Sequence, residues 1–207
     1  MAPHIRCFVS MASPWAYLGH AAFMAIAGRH GATVQFIPLP LRRLFPETGG
    51  LPLPKRHPVR QRYRFVELQR WRALRGLTLN LEPSAAPMDP DAADRLVIAV
   101  GAAGHDPDAL MRRVFAAYWA EERNPADRAV LADLLAEAGL PPELLERSDG
   151  SETRATYEAN LTAALDEGIF GAPSYVLRGE IFWGQDRLPL LEDALATGRE
   201  PFRPDGR

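Results

Sequence analysis

The stretch Ile5–Gly19 reads IRCFVSMASPWAYLG, and it decides the fold because a strand and a helix meet within it. Residues 5–9 are apolar and β-branched at both ends, a pattern typical of a short buried strand. Ser13 fits the N-cap of a helix and Pro14 fits its first position, where the missing N–H of proline costs nothing. The turn between strand and helix contains no glycine, no cysteine and no charge.

The elements on either side of this stretch extend the pattern. The apolar spacing of the first helix continues to about residue 30, and TVQFIPL (33–39) predicts a second strand, which completes a β-α-β unit. Residues 42–57 are rich in proline, glycine and basic residues and predict a loop. From Pro58 to residue 166 the apolar spacing is helical and Gly or Pro marks nearly every joint, so a block of helices without strands is expected.

Strands return only near the end of the chain. SYVL (174–177) and EIFWG (180–184), joined by Arg178-Gly179, predict a hairpin. QDRLPLLEDALATG (185–198) predicts a last helix, with Asp186 placed to cap it. The second half of the fold is therefore expected to be β-β-α.

The element order predicts an α/β protein with a thioredoxin-like fold. A β-α-β half and a β-β-α half that share one sheet describe this fold, and the helical block is an insertion between them. The sequence thus predicts a thioredoxin-like domain formed by residues 1–45 plus 167–207 and an all-helical insertion domain at 46–166.

Composition excludes several classes of function. The chain has 207 residues, is 47% hydrophobic and carries a net charge of −2, which does not favour nucleic acid as a partner. No apolar run approaches the roughly 20 residues that a membrane span needs. The first residues carry no secretory pattern, so we expect a cytoplasmic protein that does not act at a membrane.

The single cysteine, Cys7, excludes an intramolecular disulfide and a CxxC redox or zinc site. Cys7 lies within the first predicted strand, where a buried and inert thiol is expected. The sequence predicts no metal site.

A proline stands just before the third predicted strand. In a thioredoxin-like fold the turn after the first strand carries the reactive group, and a cis-proline before the third strand faces it. The stretch FGAPSYV (170–176) places Pro173 there, which predicts a cis Ala172–Pro173 bond opposite Ser13. The alternative is a proline that only begins a strand.

At these motifs the chain resembles a known family. SMASPWAYLG (10–19) is similar to the N-terminal motif of the 2-hydroxychromene-2-carboxylate isomerases and kappa-class glutathione transferases, which belong to the DsbA-like thioredoxin superfamily. GIFGAPSYVLRGEIFWGQDRLPLLEDAL (168–195) is similar to their C-terminal motif, and RYRFVELQRWRALRGL (62–77) resembles their second helix. The resemblance covers most of the chain and is most specific at its end.

The resemblance implies that glutathione is the cofactor and that Ser13 is the catalytic residue. In this family the serine hydrogen-bonds the glutathione sulfur and is not a nucleophile. A helix N-terminus and a hydroxyl donor both favour a thiolate over a thiol, so the thiol pKa should fall. From the residues alone, Ser13 could also be an N-cap and nothing more.

The resemblance also implies roles for other residues. The backbone of Ala172, beside Pro173, pairs with the cysteinyl part of glutathione as an added strand would. Gln185 and Asp186 lie where the family holds the γ-glutamyl end, and Asp186 can serve as an N-cap as well. Arg60 supplies a positive charge to cofactor or substrate.

Four residues depart from the family pattern. An acidic residue is common at the position of Ser10, and an asparagine at those of Leu51 and Asp89. Arg60 stands where a lysine is usual, and it keeps the charge with a different geometry. These changes fall around the expected substrate and leave the thiol site intact, so they bear on which substrate is used.

The implied reaction converts 2-hydroxychromene-2-carboxylate to trans-o-hydroxybenzylidenepyruvate, a step of aromatic-compound catabolism. The thiolate adds, the ring opens, a former double bond rotates, and elimination returns the thiolate without a metal or a net redox change. A kappa-type transferase or peroxidase that acts on another electrophile is the first alternative, and a non-catalytic thioredoxin-fold binding protein is the second. A disulfide oxidoreductase is disfavoured because Ser13 and Ala16 occupy both CxxC positions. The resemblance further implies a homodimer.

Overall fold

Four strands form a single mixed sheet in the computed structural model, which describes residues 2–204. The strands are β1 (His4–Val9), β2 (Thr33–Pro38), β3 (Ser174–Leu177) and β4 (Glu180–Trp183). Their order is β2-β1-β3-β4, with β1 and β2 parallel and β3 antiparallel to both of its neighbours. This arrangement confirms the predicted α/β, thioredoxin-like fold. Residues 1 and 205–207 of the predicted thioredoxin-like domain lie outside the described residues.

The helices fall into an outer pair and a central block. The outer pair is α1 (Pro14–Arg29) and α9 (Leu188–Thr197). The central block consists of α2 (Leu41–Glu47), α3 (Pro58–Arg75), α4 (Asp91–Ala102), α5 (Asp108–Trp119), α6 (Arg128–Glu137), α7 (Glu143–Arg147) and α8 (Ser151–Asp166). Between α3 and α8 the described chain contains no strand, which confirms the helical insertion.

Helix α1 begins as the sequence predicts. Ser13 has the extended backbone of an N-cap (φ −85°, ψ 115°), and its Oγ accepts the N–H of Ala16 at 3.2 Å. Pro14 occupies the first helical position. The cap satisfies one of the donors that a helix start leaves without an internal partner.

The segment 42–57 was wrongly predicted as a loop, because it contains α2 and a 3₁₀ turn at Leu53–Lys55. Leu44 is fully buried in a small apolar cluster with Phe8 and Leu161, and Arg43 forms two hydrogen bonds with Glu158 of α8. Burial against distant elements therefore overrides the weak local helix signal of a proline-rich segment.

The sheet and the inserted helices share one hydrophobic core. Its buried members include Ile5 of β1, Phe23 of α1, Leu96 of α4 and Phe115 of α5. The predicted boundary between residues 45 and 46 falls inside α2, and the boundary after residue 166 coincides with the end of α8. The division into two domains stays a prediction.

The C-terminal hairpin is confirmed, but the predicted cap of the last helix is wrong. Residues Gln185–Arg187 form a 3₁₀ turn, so α9 begins one residue later than a cap at Asp186 implies, with Arg187 at the N-cap position. The Asp186 carboxylate is hydrogen-bonded to the Arg187 guanidinium at 2.5 Å and not to the helix start. The extra turn thus moves the helix N-terminus away from Asp186.

Cys7 is buried inside β1, as predicted, and burial raises the pKa of its thiol. In residues 2–204 no helix is both long enough and apolar enough for a membrane crossing.

Candidate functional site

Ser13 and Ala172 meet although 159 residues separate them in the chain. The Ser13 hydroxyl donates to the Ala172 carbonyl oxygen at 3.1 Å, and the Ala172–Pro173 bond is cis, as predicted. Ser13 is 4% exposed, so the hydroxyl lies inside the junction between the two halves of the fold. The structure therefore brings Ser13, Ala172 and Pro173 together, and the catalytic role of Ser13 stays a prediction.

The first turn of α1 has one backbone N–H without an acceptor among the described hydrogen bonds. Pro14 has no N–H, the N–H of Ala16 bonds to the Ser13 hydroxyl, and the N–H of Tyr17 bonds to the Ser13 carbonyl. Among the described hydrogen bonds, the N–H of Trp15 has no acceptor. A donor at the positive end of a helix dipole, beside a hydroxyl, is suited to an anion such as a thiolate.

A buried carboxyl group anchors the turn that precedes Ser13. Asp94 of α4 is fully buried and accepts the N–H of Met11 at 2.8 Å and the hydroxyl of Ser10 at 3.2 Å. The Tyr157 hydroxyl of α8 donates to the same carboxyl group at 2.9 Å. Ser10, where the resemblance leads us to expect an acidic residue, is thus a buried donor to a carboxyl group from another helix.

The protonation of Asp94 depends on its burial. Burial raises the pKa of this carboxyl group to about 8, and the hydrogen bonds from Met11, Tyr157 and Ser10 offset part of the rise. Sequence reasoning missed Asp94 because an acidic residue in the first turn of a helix is ordinary. The available signal was its position on the buried face of α4, one turn before Val97 and Ile98.

The raised pKa of Asp94 predicts a pH-dependent stability. The folded protein favours the neutral carboxyl group. The stability that this group contributes is therefore complete below its pKa in the unfolded chain, about 4, and is lost as the pH rises through its pKa in the folded protein, about 8. We expect Asp94→Asn to abolish this dependence, which approaches about 1.4 kcal/mol per pH unit between the two pKa values. Urea unfolding of both chains from pH 5 to pH 9 measures it, and parallel curves would contradict the prediction. Asp133→Asn, at an exposed position, is the matched control and should leave the curve of the wild type unchanged.

Gln185 lies between α1 and α3, and its side chain faces inward. It is 2% exposed, its Cβ packs against Gly19 of α1, and its carboxamide oxygen accepts a hydrogen bond from the Arg75 guanidinium at 3.0 Å. The Gln185 side chain therefore holds the turn in place and does not face solvent. Arg75 was missed from the sequence because nothing in α3 marks it out from five other arginines.

Asp186 follows in the same turn and is 43% exposed at its side chain. The turn is joined to the cis-proline segment because the N–H of Gly184 donates to the Pro173 carbonyl at 2.9 Å. Asp186 therefore offers a solvent-accessible carboxylate in a turn that is hydrogen-bonded to the segment of Ala172 and Pro173.

Arg60 is not brought into contact with the other predicted site residues. It is exposed in the first turn of α3, whereas Arg75, which contacts Gln185, is 15 residues further along. At 1.5 Å per residue this separation is roughly 22 Å along the helix axis. Leu51 is 52% exposed in the segment before α3, and Asp89 is exposed and accepts the N–H of Asp91.

Arg64 is a candidate for binding an acidic ligand that the sequence alone did not reveal. Burial lowers the pKa of its guanidinium, and the nearby charge of Arg56 lowers it further. Among the described ion pairs, neither Arg56 nor Arg64 has an acidic partner. Tyr118, beside Arg64, accepts the N–H of Met88 with its hydroxyl. Arg56, in the segment before α3, and Arg64, on α3, thus form a positive region without a paired carboxylate among the described ion pairs.

An exposed aromatic pair flanks the cis-proline segment. Phe170 and Trp183 are 42% and 51% exposed, and their rings meet edge to face with centroids 4.7 Å apart. Gly171 allows the Trp183 ring to approach closely, because a side-chain carbon at this position would lie 2.5 Å from the ring nitrogen. The pair offers an exposed apolar surface, and Phe170 is two residues from Ala172 in the chain.

The site has no thiol of its own. Cys7 is the single cysteine and is buried in β1, and the described residues contain no cluster of side chains that could hold a metal ion. What the arrangement provides is a hydroxyl, a helix N-terminus and a backbone carbonyl around one point. The hydroxyl and the helix N-terminus can stabilise a sulfur anion carried by a ligand, and the carbonyl can accept an N–H from the same ligand.

Comparison with known proteins agrees with the fold. Residues 4–196 match the family model described as a DSBA-like thioredoxin domain. The chain is 27% identical to a 2-hydroxychromene-2-carboxylate isomerase of Sphingobium xenophagum over 198 residues, which is 94% of this chain and 99% of that protein.

Solved structures give the same result. A 2-hydroxychromene-2-carboxylate isomerase structure superposes with a TM-score of 0.81 at 25% identity, covering 94% of this chain and 95% of that chain. The cytosolic disulfide reductase DsbM from Pseudomonas aeruginosa, solved with GSH, has a TM-score of 0.66 at 21% identity over 94% of this chain and 96% of that chain, a likeness of fold alone. The chain belongs to the family of DSBA-like thioredoxin domains, and its similarity to named isomerases supports an enzyme of this family.

Proposed function

We propose that the protein is a glutathione-dependent isomerase that converts 2-hydroxychromene-2-carboxylate to trans-o-hydroxybenzylidenepyruvate. The observation that carries the proposal is the hydrogen bond from Ser13 to Ala172 at a site with no cysteine. Similarity to isomerases along nearly the whole chain supports the reaction.

The residues around Ser13 fit a cysteinyl group. The Ala172 carbonyl now accepts the Ser13 hydroxyl, and it can equally accept an amide N–H from a ligand. That exchange frees the Ser13 hydroxyl to donate to a sulfur beside the unpaired N–H of Trp15. Both donors favour the anion and lower the thiol pKa. Bound glutathione supplies the thiolate that adds to the substrate and later leaves it.

The turn Gln185–Arg187 is the proposed place of the γ-glutamyl end. The Asp186 carboxylate suits a free amine, and the backbone N–H groups of the turn suit a carboxylate. Arg75 and Gln185 act here as supports, because their side chains are bonded to each other.

The substrate is proposed to be a small aromatic acid. Phe170 and Trp183 provide an apolar surface for an aromatic ring, and the positive charge of Arg56, Arg60 and Arg64, near the start of α3, attracts an acidic substrate to this part of the protein. Arg60 retains its proposed role toward cofactor or substrate through this charge, from the side of α3 remote from Gln185.

An assay with purified protein tests the proposal. We expect conversion of 2-hydroxychromene-2-carboxylate, followed by ultraviolet absorbance, to require glutathione and to stop when glutathione is omitted. The absence of that reaction, together with conjugation of a generic electrophile such as chlorodinitrobenzene, would replace the proposal by the kappa-type transferase. Glutathione binding by calorimetry without either reaction would indicate a binding protein.

The proposed enzyme works as a homodimer in the cytoplasm, where glutathione is kept reduced. Exposed apolar side chains at Val59, Tyr63 and Val66 on α3 leave surface available for a second copy. Light scattering coupled to size exclusion measures the mass in solution, and a mass near that of one 22.9 kDa chain contradicts the dimer.

A further inference from the structure

Helix α4 holds the turn that leads into Ser13. Asp94 accepts two donors from consecutive residues of this turn, the Ser10 hydroxyl and the Met11 N–H. The turn is closed by the N–H of Ser13, which donates to the Ser10 carbonyl at 3.0 Å. Ser10 therefore links Ser13 to Asp94, because its carbonyl accepts the Ser13 N–H and its hydroxyl donates to the Asp94 carboxyl group.

A second helix fixes the carboxyl group itself. The Tyr157 hydroxyl of α8 lies 2.9 Å from Asp94 and 3.2 Å from Asp91, so it bridges the two acidic side chains. Asp91, Tyr157 and Ser10 are the polar side chains that face Asp94. With three donors and full burial, Asp94 has little freedom to move.

Asp94 lies on the apolar face of α4 with Val97 and Ile98, where burial of an acidic group costs free energy. Its hydrogen bonds with Ser10, Met11 and Tyr157 offset that cost and at the same time fix the segments that carry these donors. In some proteins a buried polar group fixes one arrangement of the backbone among several. Here the arrangement that is fixed is the backbone between β1 and α1.

We propose that Asp94 is a positioning residue for Ser13. Asp94 holds the Ser10–Met11 turn so that the Ser13 hydroxyl meets the Ala172 carbonyl and, when glutathione is bound, the glutathione sulfur. The proposal rests on the proposed function. Asp94 touches neither cofactor nor substrate in this scheme, so its effect must pass through Ser13.

Three variants separate the contributions of Asp94. Asp94→Leu fills the volume and removes the acceptor for Met11, and we expect it to lower kcat roughly 10- to 100-fold while KM for glutathione changes less than about threefold. Asp94→Asn keeps an oxygen for the Met11 N–H and should retain kcat within about threefold. The ultraviolet absorbance of bound thiolate should follow kcat in both variants.

The decisive measurement is a double-mutant cycle with Ser13→Ala. If Asp94 acts through Ser13, then Asp94→Leu in the Ser13→Ala background should lower kcat by less than about threefold. If the loss of kcat in the double variant equals the product of the losses in the two single variants, the proposal is overturned. A thiolate signal as large as that of the wild type in the folded Asp94→Leu protein would overturn it as well. Should Asp94→Leu not fold by circular dichroism, Ser10→Ala, which removes one donor, must show the same non-additive loss.

The two proposals fail in different ways. If Ser13→Ala keeps the turnover and the thiolate signal of the wild type, the proposed function is wrong and the role of Asp94 is wrong with it. If Ser13→Ala loses both and Asp94→Leu loses neither, the proposed function stands and only the role of Asp94 is overturned.

Discussion

Replacement of Ser13 by alanine is expected to lower glutathione-dependent turnover by about 10²- to 10³-fold at neutral pH, the usual cost of removing one donor from a developing anion. In the proposed mechanism the hydroxyl turns toward the sulfur and favours the thiolate, so its loss should raise the thiol pKa. The Ala172 carbonyl remains, and binding of glutathione should change much less than kcat. Loss of the N-cap costs about 1 kcal/mol of stability, which leaves the fold intact.

Steady-state kinetics and the thiolate absorbance of the bound cofactor test this expectation. Ser148→Ala is the matched control, because Ser148 is buried to 3% exposure and also donates to a backbone carbonyl, that of Leu145. It lies between α7 and α8, and its hydroxyl has no described hydrogen bond to Ser13 or Ala172. Equal turnover in Ser13→Ala and Ser148→Ala would show that Ser13 is an N-cap without a catalytic role.

Replacement of Gly19 by alanine is expected to raise KM for glutathione about tenfold or more and to cost about 1–3 kcal/mol of stability, as overpacking does. The added carbon would overlap with the Cβ of Gln185 and lie 3.2 Å from the Tyr175 hydroxyl. Because the Cβ of Gln185 sits on the backbone, rotation of a side chain cannot relieve the overlap. The turn that carries Asp186 must move away from α1.

Gly28→Ala supplies the matched control in the same helix. Nothing lies within 4 Å of a carbon added at Gly28, so this change should stabilise the protein by up to about 1 kcal/mol through helix propensity and leave KM unchanged. Thermal unfolding and glutathione titration of both variants measure the contrast. Similar behaviour of the two alanine variants would show that the contact between α1 and the Gln185 turn does not matter for binding.

The first half of the sheet and its junction with α1 were predictable because the signals are local. A short apolar run, a serine cap and a proline at the next position specify strand, turn and helix within Ile5–Gly19. The hairpin of β3 and β4 has the same character. The cis geometry at Ala172–Pro173 was predictable from its place before β3 in a recognised topology and not from the dipeptide itself.

The features that sequence reasoning missed depend on contacts between distant segments. Helix α2 forms because Leu44 is buried against other elements, and Asp186 fails as a cap because an extra 3₁₀ turn precedes α9. Asp94 acquires its place from the Ser10 turn 84 residues away, and Gln185 from Arg75, 110 residues away. No periodicity or cap signal within a short window contains that information.

In the proposed enzyme, the hydrogen bond between Ser13 and Ala172 affects which thiols can bind as cofactor. Any ligand whose sulfur draws the hydroxyl away leaves the Ala172 carbonyl without a donor unless the ligand brings an N–H of its own. An unpaired buried acceptor costs about 1–3 kcal/mol, or roughly 5- to 150-fold in affinity. A simple alkyl thiol carries that cost and a cysteinyl peptide does not, so the contact selects for a thiol attached to a peptide backbone.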